Sequence, residues 1–184
     1  MFFVQIFIFF LSIIFISLSI IGFGSVITRN LKSNFCIDFF FGLIVLSLVV
    51  TVLHFFFRVY VLLNILLFIL GLILFLRGAS FHYFKDLKKF NFKYLIIILL
   101  LIPMYITQKY HEDFGYYHLP YALAFLEEKI VFGFANVDQA YVYNSIWLNL
   151  TSIFFFKDRN FDFLTLPSFI LFLIFIIFLF KSLF

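Results

Sequence analysis

Residues 111 to 120 read His111-Glu112-Asp113-Phe114-Gly115-Tyr116-Tyr117-His118-Leu119-Pro120. Two adjacent carboxylates, two imidazoles and two phenols gather where a long apolar run ends. A chain that only needs anchoring in a bilayer has no use for such a group, so chemistry at a membrane surface is the first expectation. Imidazole and carboxylate from His111, Asp113 and His118 also suit zinc or manganese, although their spacing matches no recognised ligand pattern. A divalent metal is therefore weighed, and no cofactor is expected. A plainer reading stands beside the chemical one: Asp113 precedes a helix, where Asp is a common N-cap, and Glu112 is then a hydrated surface acid.

The rest of the chain sets where this cluster sits. Its 184 residues are 66% hydrophobic and 12% charged, and the mean hydropathy is +1.20. A soluble domain carries about 25% charged residues to wet its surface, so most of this surface faces something other than water. The single Cys36 excludes an internal disulfide. Basic residues flank apolar runs and form no soluble basic face, which argues against a nucleic-acid partner.

A helix crossing the hydrocarbon core needs about 20 mainly apolar residues, and lipid cannot satisfy the backbone of anything less regular. Runs over about 3–28, 39–57, 59–76 and 163–180 meet that need; the run over 94–107 is shorter and is lengthened by Lys93 snorkelling outward, and the run over 141–156 is the most polar of the six. The first lacks the basic start and short core of a cleaved signal peptide and is read as a retained span. The second and third leave almost no loop, which predicts a tight helical hairpin with Arg58 near its tip. The expected fold is all-α: a polytopic membrane helix bundle of about six transmembrane helices, one transmembrane domain over 1–184, with an interfacial helix on the outer face.

Basic residues in short loops set orientation. Arg77, Lys85, Lys88, Lys89 and Lys93 stand against Asp86 alone, which places that segment in the cytoplasm. Alternation then puts Arg29, Lys32, Lys157 and Arg159 inside, both termini outside, and loop 108–140 outside. Within the loop, Pro120 can open a helix because its missing N–H costs nothing in a first turn. An amphipathic helix over about Tyr117–Lys129 is expected, with Leu119, Leu123 and Leu126 on one side and Glu127 and Glu128 towards water. Tyr116, Tyr117, Tyr121, Tyr141, Tyr143 and Trp147 read first as an interfacial aromatic belt. His54 reads as a helix-packing residue or headgroup contact. Ser145, Asn149 and Ser152 form a stripe suited to interhelical hydrogen bonds.

An acidic pair, then Tyr-His-Leu-Pro at the head of an interfacial helix directly after a span, resembles the GT-C superfamily of polytopic glycosyltransferases that use polyprenyl-phosphate-linked sugars. The resemblance covers Lys109 to about Phe155. It implies a membrane glycosyltransferase with Asp113 as catalytic acid-base residue and Glu112 as the competing candidate. His118 and Tyr117 would contact substrate, and Lys109 and Arg58 would neutralise the phosphate of a polyprenyl-phosphate sugar donor. The lipid bilayer, in a bacterial inner membrane, is the other expected partner. Family members usually have eight or more spans, so the chain is expected to be the amino-terminal part of such an enzyme. Further carboxy-terminal helices, or a partner chain, would complete it. A transporter or channel component and an inactive membrane fragment are the competing readings.

Overall fold

The computed structural model describes residues 2–29, 31, 34–78, 96, 100, 101, 105, 114–130, 133, 136, 145–154 and 162–183. It is a membrane helix bundle, with no strand among the described residues. The helices are α1 (Phe2–Thr28), α2 (Phe35–Phe56), α3 (Val61–Gly78), α4 (Leu119–Glu127), α5 (Ile146–Ser152) and α6 (Asp162–Leu183), with a π-helical turn at Phe114–His118 ahead of α4. Among the described residues, α1, α2, α3 and α6 are long and apolar enough to cross a membrane.

Local chemistry moves two of the expected boundaries. Asn34 caps α2: its Oδ1 accepts from the backbone N–H groups of Cys36 at 3.0 Å and Ile37 at 3.1 Å. Asp38 follows in the first turn, where a carboxylate complements the helix dipole. The helix therefore starts at Phe35, four residues before the purely apolar run. α3 begins at Val61, after a link of residues 57–60 that carries exposed Arg58 at the tip of the expected hairpin.

The chain divides into two compact units. The first comprises Met1–Val45, Leu66–Gln108 and Ser168–Phe184. Here glycines let backbones touch. A Cβ on Gly22 would land on the Gly71 carbonyl of α3. One on Gly24 would land on the Asp38 carbonyl of α2, and one on Gly42 on the Ile20 carbonyl of α1. Small residues serve this purpose in membranes, where association depends on close packing rather than on hiding apolar surface from water. Ser19 adds a hydrogen bond between helices, its Oγ donating to the Phe68 carbonyl at 2.8 Å.

These contacts also fix helix directions. Ile20 meets Gly42 while Gly24 meets Asp38, so α1 and α2 are antiparallel. Ser19 meets Phe68 and Ser25 meets Gly78, so α1 and α3 run the same way. Phe178 packs edge-on against Phe40, with centroids 6.1 Å apart, and Lys181 lies over the Phe35 ring at 5.4 Å. α6 is therefore antiparallel to α2 and parallel to α3. Alternation of six spans would make α2 and α6 parallel.

The difference traces to the expected fifth span. Ser145 is extended, with φ −107° and ψ 123°, and the helix that follows has only seven residues. At 1.5 Å per residue it is about 10 Å long, against about 30 Å of hydrocarbon. Residues 145–154 thus do not continue one helix across the bilayer; 141–144, 155 and 156 lie outside the described residues. Parallel α3 and α6 need an odd number of crossings between them. Of the run over 94–107 the described residues Ile96, Leu100, Leu101 and Tyr105 are helical, and Tyr105 packs on Phe169 of α6 with centroids 4.5 Å apart.

The second unit comprises Leu46–Ile65 and Lys109–Pro167. α4 packs there through Ala122 against Leu164 at the start of α6, with Phe114, Leu119, Leu123 and Leu126 around them. Glu127 and Glu128 are exposed, as the amphipathic pattern predicts, and the helix ends at Glu127 rather than Lys129.

Two outcomes follow from the first unit. Gly22→Ala is expected to destabilise the protein by about 1–3 kcal/mol through overpacking, read as a lower detergent-denaturation midpoint. Leu31→Cys and Ser182→Cys should react with a membrane-impermeant maleimide from one side of the membrane and Phe57→Cys from the other, native Cys36 being buried. Ser182→Cys reacting on the side of Phe57→Cys would restore the six-span alternation.

Candidate functional site

The chemistry-bearing segment leads into α4. Asp113, Glu112, His111 and Lys109 lie outside the described residues. From Phe114 the chain makes the π-helical turn, a rare geometry found often at functional sites. Tyr117 belongs to that turn through its backbone, and its side chain lies outside the described residues. Tyr116 is 77% exposed, nothing packs where a Gly115 side chain would stand, and His118 is exposed at the end of the turn.

His54 determines where this segment is held. It is 0% exposed, and its ring joins three parts of the second unit. Nε2 donates to the Glu128 carbonyl at 3.0 Å, and Nδ1 pairs with the side-chain amide of Asn149 in α5 at 2.9 Å. The ring stands edge-on to Phe125, with centroids 4.5 Å apart at 76°, and Phe125 meets Tyr121 the same way at 4.9 Å.

Backbone groups complete the clasp. A helix leaves its last carbonyls without partners inside the helix. The His54 carbonyl, near the end of α2, accepts from the Ile130 N–H at 3.1 Å, and the Phe125 carbonyl, near the end of α4, accepts from the Val59 N–H at 2.9 Å. Each of the two helix ends thus takes a donor from the segment that follows the other. α5 is N-capped by Ser145, whose Oγ accepts from the Trp147 N–H at 3.2 Å, and Ser152 Oγ donates to the Asn149 carbonyl at 2.7 Å. The stripe of Ser145, Asn149 and Ser152 turns inward, with Asn149 and Ser152 buried.

Of the expected site residues, His118 and Arg58 are described with their side chains, and they stand apart. Arg58 is held near Phe125 through its neighbour Val59, whereas His118 precedes α4. The seven-residue step from His118 to Phe125 separates these points by about 10 Å along the helix. Neither side chain has a hydrogen-bond or ion-pair partner among the described residues. Among those residues no cluster of His, Cys, Asp and Glu is arranged to hold a metal.

The sequence missed what anchors the segment. His54 proves to be a packing residue, but its partner Asn149 is 95 positions away. The available signal was a histidine in one apolar segment and an asparagine in another, in a solvent that leaves polar side chains to seek each other. Tyr121, read as part of an aromatic belt, is buried against Phe125 instead.

Residues 6–184 match the model of a protein family described as a domain of unknown function (DUF8201). No curated protein and no solved structure matches the chain.

His54→Ala would leave the Glu128 carbonyl and the Asn149 amide unpaired beside a cavity, and is expected to cost about 3 kcal/mol. His54→Gln, whose amide nitrogen can occupy the Nε2 position, should recover part of that loss by keeping the Glu128 bond. Detergent-denaturation midpoints of the three proteins measure it; equal midpoints for wild type and His54→Ala would dismiss the clasp.

Proposed function

The chain belongs to the DUF8201 family, and we propose that it is an integral membrane glycosyltransferase, or the amino-terminal part of one. In this reading it transfers a sugar from a polyprenyl-phosphate donor to an acceptor at the extracytoplasmic face of a bacterial inner membrane. The observation that carries the reading is the acidic pair followed by Tyr-His-Leu-Pro, resembling the GT-C superfamily, at the head of a helix clasped at its far end by a buried histidine. A base must be held to within a fraction of an ångström of its task, and a clasped α4 supports such precision.

The chemistry is a single displacement. The acceptor hydroxyl oxygen bonds to the anomeric carbon as the bond from that carbon to the phosphate oxygen breaks. The electron pair leaves with the phosphate, and the hydroxyl proton passes to the Asp113 carboxylate. Phosphate is already a good leaving group, so one carboxylate suffices as general base. Glu112 tunes the charge beside it, and His118 and Tyr117 orient the acceptor or the sugar. Lys109 and Arg58 offset the phosphate charge. The configuration at the anomeric carbon inverts.

Charge distribution supports the sidedness. In this reading Arg77 to Lys93 face the cytoplasm together with Arg29, Lys32 and Lys181, eight of the thirteen basic residues, and the segment from Lys109 to Asp162 faces outside. Seven of the nine acidic residues then lie in that outer segment: Glu112, Asp113, Glu127, Glu128, Asp138, Asp158 and Asp162. In this assignment Lys157 and Arg159 also belong outside.

Transport is the second reading. Asp38 is 1% exposed inside α2, with one carboxylate oxygen unpartnered, and ionisable groups within spans mark ion and substrate paths. Its place in the first turn, at the end of a crossing rather than its middle, ranks this reading below sugar transfer.

Transfer of labelled sugar from polyprenyl phosphate in proteoliposomes decides between them. Asp113→Asn is expected to lower the rate by at least about 100-fold, the lower range for general-base catalysis. Transfer by Asp113→Asn at the wild-type rate would end the proposal.

A further inference from the structure

The His54 ring holds one nitrogen that the clasp does not tie to a single protonation state. The Glu128 carbonyl can only accept, so Nε2 carries its proton whatever the charge of the ring. Nδ1, 2.9 Å from the side-chain amide of Asn149, is under no such constraint. A neutral imidazole offers a lone pair there and needs a donor. An imidazolium offers an N–H and needs an acceptor.

Asn149 can supply either. Its amide carries an oxygen that accepts and a nitrogen that donates, and a half-turn exchanges the two in nearly the same space. With Oδ1 towards the ring Nδ1 donates; with Nδ2 in its place Nδ1 accepts. The amide makes no other side-chain hydrogen bond among the described residues, so turning it over breaks none. An aspartate at this position would suit only the charged ring, and an apolar side chain would leave Nδ1 without a partner in either state.

Charges on the surrounding elements leave both states open. Glu127, Glu128 and Lys129 at the end of α4 and Arg58 after α2 are exposed, and two acids with two bases add no net charge. α5 carries no titratable side chain, and the phenols of Tyr60 and Tyr121 are neutral at ordinary pH. Burial penalises an imidazolium, whereas the last turn of α2, where His54 stands, favours a cation through the helix dipole. We infer that Asn149 is a two-way partner through which His54 takes up and releases a proton at Nδ1 while the clasp persists in both states. The proton comes from solvent and needs no cavity, since brief local opening of the segment beyond α4 delivers it. Nothing in this inference depends on sugar transfer.

Nuclear magnetic resonance of the full chain in lipid nanodiscs, with 15N in the histidine rings, reads the proton directly; the His54 signals are those lost in His54→Gln. Between about pH 8 and pH 5, Nδ1 should change from a bare to a protonated nitrogen, with Nε2 protonated and the Ile130 amide protected throughout. Unfolding constants from detergent denaturation, taken relative to wild type, then isolate the part played by Asn149. In Asn149→Leu the folded ring refuses the second proton, which the unfolded chain binds below about pH 6.5. The unfolded state then holds more protons, so stability relative to wild type should fall with falling pH, by up to about 30-fold in the unfolding constant at pH 5. In Asn149→Asp the new carboxylate holds the Nδ1 proton, so relative stability should fall as pH rises instead. A ring that keeps one protonation state over this range would overturn the inference, as would loss of Ile130 protection when Nδ1 is protonated. Folded variants whose relative stabilities do not move in opposite senses with pH would overturn it too. Should neither Asn149 variant fold, the wild-type ring and Ile130 signals decide alone.

Discussion

Inside a bilayer no water waits to accept a backbone hydrogen bond, so every helix end near the hydrocarbon must find its partner within the protein. In the second unit that requirement shapes the architecture. The end of α2 and the end of α4 satisfy each other's carbonyls through Ile130 and Val59, and His54 adds a side-chain bond to Glu128. Because these groups come from segments distant in sequence, satisfying the backbone and fixing α4 are one event. Asn149 brings α5 into the same arrangement.

The first unit meets the same solvent by different means. Hiding apolar surface gains little among lipid tails, so attraction between helices rests on contact distance and on the few polar bonds that cross. Gly22 and Gly24 face different neighbours: one meets the Gly71 carbonyl on α3, the other the Asp38 carbonyl on α2. α1 can therefore approach both at once. The directions set there fix the crossing parity of the chain, and with it the side on which the end of α6 emerges.

Much of this was legible in the sequence, and the exceptions have physical causes. Hydropathy located α1, α2, α3 and α6 because twenty apolar residues have few other fates. Within the run 141–156, a window average cannot register Ser145 capping a new helix or the seven-residue length that follows. It started α2 too late because Asn34 and Asp38 look like the outside of a span while serving as its cap and first turn. The pattern of Leu119, Leu123 and Leu126 found one packed side of α4, but not the buried Tyr121 and Phe125. Their burial depends on His54, far away in the chain. The motif around Asp113 was legible as residue types and order alone; the clasp beyond it was not, because no local spacing links residues 54, 128 and 149.

Amide hydrogen exchange across 119–130 tests the clasp most directly, comparing wild type with His54→Ala in lipid nanodiscs. The account predicts slow exchange at Ile130 in the wild type and faster exchange there in the variant, with the glycine-packed stretch of α1 around Gly22 unchanged. Equal protection of Ile130 in both proteins would contradict it, because α4 and the residues after it would then be held by something other than the buried imidazole.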